Sequence, residues 1–367
     1  MQEIKDLKNT QKKGIWVWER LLPSAKYQIT ENEGNTKIVK FNLYGEKFAA
    51  KLESENPTGS QKDRSIAFQI SKELENPKNK AFTVSSSGNL ASSISFYLKE
   101  LEDFKFIALL PKNTSNQKIL EILRNENSFV IISENPKKES LSIEKLGIAK
   151  SLRQSTSENS FQGYQTIAYE IFESGENFDS IFVPVSSGVT LIGIYKGFEV
   201  LRKHFPSIKM PRFFAIQTTE VFSVAKSFGD FKKEKNHPAK AICDHICYKK
   251  LDILEILEKT GGGSIAVDKK ETLRCHKILK ENGFDVSEES AILLSASKKL
   301  LKDGEISKPL LIFTGKDKSS STNESMKKLL DYTDFCKRIF YSNSLNETVD
   351  FLKSANFNFK FKDKLLK

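Results

Sequence analysis

The stretch "NPTGSQKDRS", Asn56 to Ser65, sets Lys62 just after a Pro- and Gly-containing turn and just before an acid and an arginine. A lysine amine becomes a nucleophile near neutral pH when it is partly stripped of water or placed beside positive charge, and it can then carry protons. A solvated lysine at a helix start would look the same in these ten residues. What decides between the two is the company Lys62 keeps.

Three other stretches share a composition: "SSSGN" at Ser85 to Asn89, "SSGVT" at Ser186 to Thr190, and "TGKDKSSS" from Thr314. Each follows a hydrophobic run with small hydroxylated residues and glycine. Such turns offer backbone N–H groups and hydroxyls at a helix N-terminus, where an anion is favoured by unsatisfied donors and the helix dipole. Serine also caps helices without any ligand. Three such turns together with Lys62 are harder to assign to capping alone.

The elements that must position these groups are legible as short apolar runs. "AFTVSS", "FKFIALLP", "SFVIIS", "DSIFVPVSS", "RFFAIQ" and "PLLIFTG" are rich in β-branched and aromatic residues, and each precedes a segment with helical spacing. After "FTVSSSGN", Leu90, Ile94, Tyr97, Leu98 and Leu101 recur at steps of three and four. Strand, turn and helix in repeated alternation predict parallel sheets covered on both faces. Ligands of such sheets bind beyond the carboxyl ends of the strands, which is where the serine, glycine and threonine turns fall.

The 367 residues suffice for two domains or one large α/β unit. The N-terminus, "MQEIKDLKNTQKKGIW", is polar from its first residue, and no stretch is apolar enough for a membrane span, so a cytoplasmic protein is expected. Four cysteines, Cys243, Cys247, Cys275 and Cys336, make no disulfide framework in a chain of this length. The net charge of +11 comes from lysines interleaved with 47 acids, as on solvated helix faces. Exposed aromatics alternating with arginines, which a single-strand binder needs, are not evident, so no nucleic-acid partner is expected. The tail "NFNFKFKDKLLK" is the one locally basic and aromatic segment.

"HPAKAICDHICYKK" places His237, Cys243, His245 and Cys247 close together, and thiolates and imidazoles are zinc ligands. The spacing fits no common paired-ligand pattern, so no metal is expected. No nucleophile elbow appears, and "GGGS" at Gly261 lacks the lysine of a phosphate-binding P-loop.

Taken in order, "ENPTGSQKDRS", "SSSGNLASS", "VPVSSGVTLIGIYKGF" and the "TG" after "LLIF" resemble the pyridoxal-phosphate enzymes of the tryptophan synthase β fold, and within them threonine synthase. "KGIWVWERLLP", "NEGNTKIVKF" and "GYQTIAYEI" are similar to that family's opening, its "GEGNTPL" and its "EGQKTIAFEI". "GGGSIAVDKKETL" and "GFDVSEESAILLSA" resemble its later helix-forming stretches, and the likeness spans roughly residues 13 to 350. The resemblance implies an α/β fold of two three-layer domains, with mostly parallel sheets covered by helices and a pyridoxal phosphate cleft between them. The division expected is residues 1–80 and 161–367 for a large cofactor domain and 81–160 for a smaller one.

On that resemblance Lys62 is the Schiff-base lysine, with Asp63 and Arg64 as a local ion pair. Asn89 stands beside the cofactor's phenolic oxygen, although an asparagine there also suits the start of the next helix. Ser85, Ser86, Ser87 and Gly88 receive the substrate carboxylate together with Asn89. Ser186, Ser187, Gly188, Val189 and Thr190 cradle the cofactor phosphate, and Thr314 meets the pyridine nitrogen, or else serves as a strand-end cap. The expected partner is a small amino-acid substrate, with a homodimer possible and neither membrane nor nucleic acid involved. The implied activity is conversion of O-phospho-L-homoserine and water to L-threonine and phosphate.

Departures from the family pattern fall on the parts that would grip phosphate. Val189 stands at a glycine position of "GNGGN", where a β-branched residue resists positive φ. Leu90 replaces a hydroxyl, Ser160 stands near where an arginine is usual, and the "TGHGLKD" segment reads "TGKDKSS" with Asp317 after Lys316. These changes keep two alternatives open: β-elimination or β-replacement on another amino acid, and a non-catalytic binding module.

Overall fold

The computed structural model describes residues 3–77, 80–86, 88–244, 246–317 and 337–357. In chain order the strands are β1 (Ile38–Leu43), β2 (Glu46–Leu52), β3 (Ala81–Ser85), β4 (Lys105–Pro111), β5 (Ser128–Ser133), β6 (Lys150–Ser151), β7 (Ser180–Pro184), β8 (Arg212–Thr218), β9 (Gly263–Val267), β10 (Pro309–Phe313) and β11 (Ile339–Ser342). All six apolar runs read from the sequence are strands.

The chain divides into two compact units, one of Met1–Phe68 with Gln154–Lys318 and the other of Gln69–Arg153 with Ser319–Lys367. The first holds a six-stranded sheet in the order β1-β2-β10-β7-β8-β9. Its β1–β2 pair is antiparallel, and every other pairing in it is parallel. Strands β7 and β10 are buried along their whole length, which is why they read as unbroken apolar runs. Phe182 stacks on Phe214 with centroids 4.7 Å apart, and the packed helix Glu288–Lys302 contributes Ile292, Leu293 and Leu294 to the same core.

The second unit holds a parallel sheet in the order β11-β5-β4-β3-β6. The helix Asn89–Tyr97 follows β3, burying Ile94 and Tyr97 as the spacing predicts.

The expectation that everything from 161 to 367 folds in the larger domain is corrected by β11. This strand pairs in parallel with β5, Ile339 opposite Val130 through Ser342 opposite Ser133. The helix Leu345–Ser354 then packs Val349 and Leu352 beside Ile107, Leu109 and Ile131. Phe340 stacks on Phe351 at 4.6 Å, so this last segment gains its burial from the smaller sheet.

One helical expectation is also corrected. "GGGSIAVDKKETL" begins as β9, and its helix starts only at Lys269, capped by the Asp268 carboxylate accepting from the Glu271 amide at 2.8 Å. Most described residues of "HPAKAICDHICYKK" are irregular apart from the one-turn Lys240–Ile242, and the next helix is Lys250–Thr260.

Candidate active site

Lys62 opens the helix Lys62–Glu73, and the turn before it is stitched to the end of β10. The Lys316 amide donates to the Gly59 carbonyl at 2.9 Å, Ser60 bridges Gly315, and the Gln61 amide donates to the Thr314 carbonyl at 3.1 Å. Gly59 has φ of 82°, and an added Cβ would sit 3.2 Å from the Lys316 side chain. A glycine satisfies both demands. The Asp63 carboxylate accepts from the Thr58 amide at 2.7 Å and from its hydroxyl at 2.6 Å, closing the turn from the helix side.

Arg64 does not pair with Asp63. It is fully buried and its guanidinium is shared between two other acids, with Nε 2.7 Å from Glu53 and Nη1 2.6 Å from Glu170. Lys51 joins the cluster, donating to Glu170 at 2.6 Å and to the Thr36 carbonyl at 2.5 Å. The Asn35 amide donates to Glu170 at 2.8 Å, and Asn56 donates to Glu53 at 2.8 Å. Burial alone would raise the carboxyl pKa values, but Arg64 and Lys51 outweigh it and hold both acids below the usual range. "NEGNTKIVKF" and "NPTGSQKDRS" are thereby locked together from beneath.

The Lys62 amine leaves this cluster and meets a neutral partner. Nζ donates to Gln154 Oε1 at 2.6 Å and lies 6.0 Å from the centre of the Tyr164 ring. The side chain is half-buried, and loss of water around the amine pushes its pKa down to about 8. Gln154 Nε2 donates to the Tyr164 hydroxyl at 2.9 Å, and Thr190 and Ser65 lie near that hydroxyl. Burial pushes the Tyr164 phenol up, so it stays protonated. Tyr164 fits because Gly163 and Gly193 flank it: a Cβ on Gly163 would lie 1.9 Å from the Arg64 carbonyl, and one on Gly193 would lie 2.5 Å from the Tyr164 Cβ.

Ser186 to Thr190 connect β7 to the sixteen-residue helix Val189–His204. Gly188 caps it with φ of 82°, where an added Cβ would meet Ile253 at 2.2 Å. Val189 is buried in the first helical turn, not at a positive φ, so the strain expected there from a β-branched residue does not arise. The amides of Gly188, Val189 and Thr190 meet no acceptor among the described residues, and the helix dipole points their way. Ser186 and Ser187 are half-buried beside them.

Thr314 is buried at the end of β10, its amide donating to Ser290 Oγ at 3.1 Å and its carbonyl taken by Gln61. Its hydroxyl meets no partner among the described residues. Three residues on, Asp317 has a buried carboxylate contacted by the Lys280 ammonium and 3.6 Å from His276 Nε2.

In the second unit, Ser85 ends β3 and Gly88 caps the helix that Asn89 begins, with the Gly88 amide donating to Ser86 Oγ at 3.3 Å. Asn89 and Leu90 are half-buried, and Ser87 lies outside the described residues. Ser160 is buried: Ser65 donates to its carbonyl, and its own hydroxyl donates to the Ser157 carbonyl at 2.6 Å.

His237 is a core histidine rather than a ligand: Nε2 lies 3.2 Å from the Val267 carbonyl and Nδ1 accepts from the Ala239 amide at 3.2 Å. Cys243 has Thr218 and Ala239 as partners, and burial raises its thiol pKa. His245 and Cys336 lie outside the described residues. His276, Glu288 and Asp317 group within 4.8 Å, with the Lys280 ammonium already on Asp317.

The donor set of the first unit, a desolvated amine, free amides at a helix N-terminus and an uncommitted hydroxyl at a strand end, suits an aldehyde, a phosphate and a ring nitrogen. Residues 29–315 match the family model described as pyridoxal-phosphate dependent enzyme. The threonine synthase of Methanosarcina acetivorans is 25% identical over 309 residues, covering 80% of this chain and 76% of its own. That of Methanocaldococcus jannaschii is also 25% identical, covering 83% and 81%. Among solved structures, maize serine racemase superposes with a TM-score of 0.64 at 20% identity, covering 81% of this chain and 93% of its own. The O-acetylserine dependent cystathionine β-synthase of Helicobacter pylori superposes at 0.65 and 22%, covering 79% and 95%. The chain belongs to the pyridoxal-phosphate-dependent enzymes, in the α/β fold that these structures share.

Proposed function

We propose that the protein is a lyase of the threonine synthase type, converting O-phospho-L-homoserine and water to L-threonine and phosphate. The observation that carries this reading is the partly desolvated Lys62 amine on a turn anchored to Thr314, in a chain that two archaeal threonine synthases match over 80% and 83% of its length. Pyridoxal phosphate, when bound, supplies an electron sink for charge developing at the substrate Cα.

In this reading Lys62 Nζ holds the cofactor covalently and, once released, moves protons from Cα toward the more distant carbons. An amine with a pKa of about 8 is partly neutral at physiological pH, so it can accept a proton and return it. Thr190 and the free amides of Gly188 and Val189, with Ser186 and Ser187, are assigned to the phosphate. Thr314 Oγ1 is assigned to the ring nitrogen, where a neutral hydroxyl leaves that nitrogen unprotonated. Asn89, with Ser85, Ser86, Ser87 and Gly88, is assigned to the phenolic oxygen and the substrate carboxylate on the family's pattern.

One observation favours a second reading. Ser160 is packed into the interior where the family tends to carry an arginine, and Leu90 stands in place of a hydroxyl, so the groups that would recognise a substrate phosphate are reduced. β-Elimination or β-replacement on an unphosphorylated amino acid fits these changes. The binding-module alternative, raised by Val189 and by the altered "TGKDK" loop, loses the first of these supports, because Val189 is helical and unstrained.

The discriminating experiment measures phosphate release from O-phospho-L-homoserine against keto-acid release from serine or threonine, with cofactor saturating. Phosphate release with threonine formed is expected. Keto acid without phosphate release selects the second reading.

A further inference from the structure

Gln154 comes from a stretch that carried no expectation, yet it is the group the Lys62 amine touches. The orientation of its amide is fixed at both ends. A protonated lysine only donates, so the amide oxygen must face Lys62, and the Nε2 donors are then left for Tyr164. The phenol oxygen accepts that bond. The result is a chain of donors running from the lysine through the Gln154 amide to the Tyr164 hydroxyl.

We infer that Gln154 is the positioning residue for the free Lys62 amine, the acceptor to which that amine returns whenever it is not covalently engaged, and that Tyr164 holds the Gln154 amide in the accepting orientation. This deepens the cofactor-lysine reading and rests on it. A carboxylate at this place would grip the ammonium and delay its return to the neutral form, whereas an apolar side chain would leave the amine without a station. A neutral amide keeps the amine located while letting it lose its proton. Of the titratable groups around it, Tyr164 faces the amine and stays protonated; Asp63 is turned to Thr58, and Arg64 to Glu53 and Glu170.

The test labels the full-length protein, freed of cofactor by hydroxylamine, with trace acetic anhydride across pH, and follows the Lys62 peptide by mass spectrometry. Wild type is expected to titrate with a midpoint of about 8. Gln154→Glu should move the midpoint up and slow Lys62 labelling at pH 8 by about tenfold, the consequence of a one-unit shift. Gln154→Leu and Tyr164→Phe should move it down, and Gln154→Asn, too short to reach, should follow Gln154→Leu. Midpoints equal to wild type in Gln154→Glu and Gln154→Asn, in protein with an unchanged melting curve, overturn the inference. Borohydride reduction with pyridoxal phosphate and peptide mapping tests the lysine separately: a label on another lysine removes the cofactor reading without moving the anhydride midpoints.

Discussion

Arg64 Nη1 lies 2.6 Å from Glu170 Oε1, and the same guanidinium holds Glu53 at 2.7 Å, so the helix that begins with Lys62 is tied by its third residue to two elements at once. Glu53 lies 11 residues before Arg64 in sequence and Glu170 lies 106 after it. A buried charge cluster of this kind contributes little net stability when intact and is costly to break, because removing one partner strands the others without water. Arg64→Met is expected to lower stability by about 3 to 5 kcal/mol, read from urea unfolding. A loss under about 1 kcal/mol would mean that the two carboxylates find other partners.

The same cluster sets an acid limit. Glu53 and Glu170 have folded pKa values below their unfolded ones, so the stability they contribute is present above the ordinary carboxyl pKa of 4.5 and is lost as pH falls below it. Melting temperature should therefore drop steeply below about pH 4.5, and a triple variant Glu53→Gln, Glu170→Gln, Arg64→Met should flatten that drop.

Lys62 works in the opposite direction. Its folded pKa of about 8 lies below the ordinary 10.5, so the unfolded chain binds more protons between those values. The cost of burying the ammonium is fully present below pH 8 and relieved as pH rises toward 10.5. In cofactor-free protein, Lys62→Met is expected to be more stable than wild type at pH 7, with the gap closing across that window. Equal urea midpoints at pH 7 and pH 10 would contradict the desolvation of the amine.

Gly188→Ala is expected to damage the loop assigned to the cofactor phosphate on two counts, a positive φ that costs about 1 kcal/mol or more and a Cβ 2.2 Å from Ile253. Cofactor affinity, measured by fluorescence titration, should fall with it. Val189→Gly should bring no gain, because Val189 already sits in helical geometry.

Gly163→Ala should be among the most damaging small changes in the chain. Its Cβ would lie 1.9 Å from the Arg64 carbonyl, a backbone atom that cannot rotate away. The expected result is poor soluble yield; a variant with wild-type melting would show that the turn at Gly163 can move off the helix Lys62–Glu73 without loss.

How much of this was legible in the sequence depended on distance along the chain. The six strands of strong apolar character were readable because burial on both faces leaves no polar alternation to obscure them. The hairpin β1–β2 was not, since its first strand mixes exposed and half-buried residues. β11 was missed for a related reason: "IFYS" has only one fully buried residue and gains its partner from β5 two hundred residues earlier. Lys62, Gly188 and Thr314 were singled out by the turns that carry them taken together with the ordered resemblance, not by any one turn alone. Gln154, Tyr164 and the acids around Arg64 were not, because a single glutamine or tyrosine carries no signal until the fold brings it to an amine. The concern over Val189 came from placing the positive φ one residue too late.

The seam between Gly59–Gln61 and Thr314–Lys316 also has a meaning in time. The turn that aims Lys62 is made early in synthesis, but the strand end it is hydrogen-bonded to emerges some 250 residues later. The long loop between them must be closed before those bonds can form. The lysine therefore reaches its place only when nearly the whole first unit has been made, and a truncated chain ending before residue 314 would carry the amine without the geometry that makes it reactive.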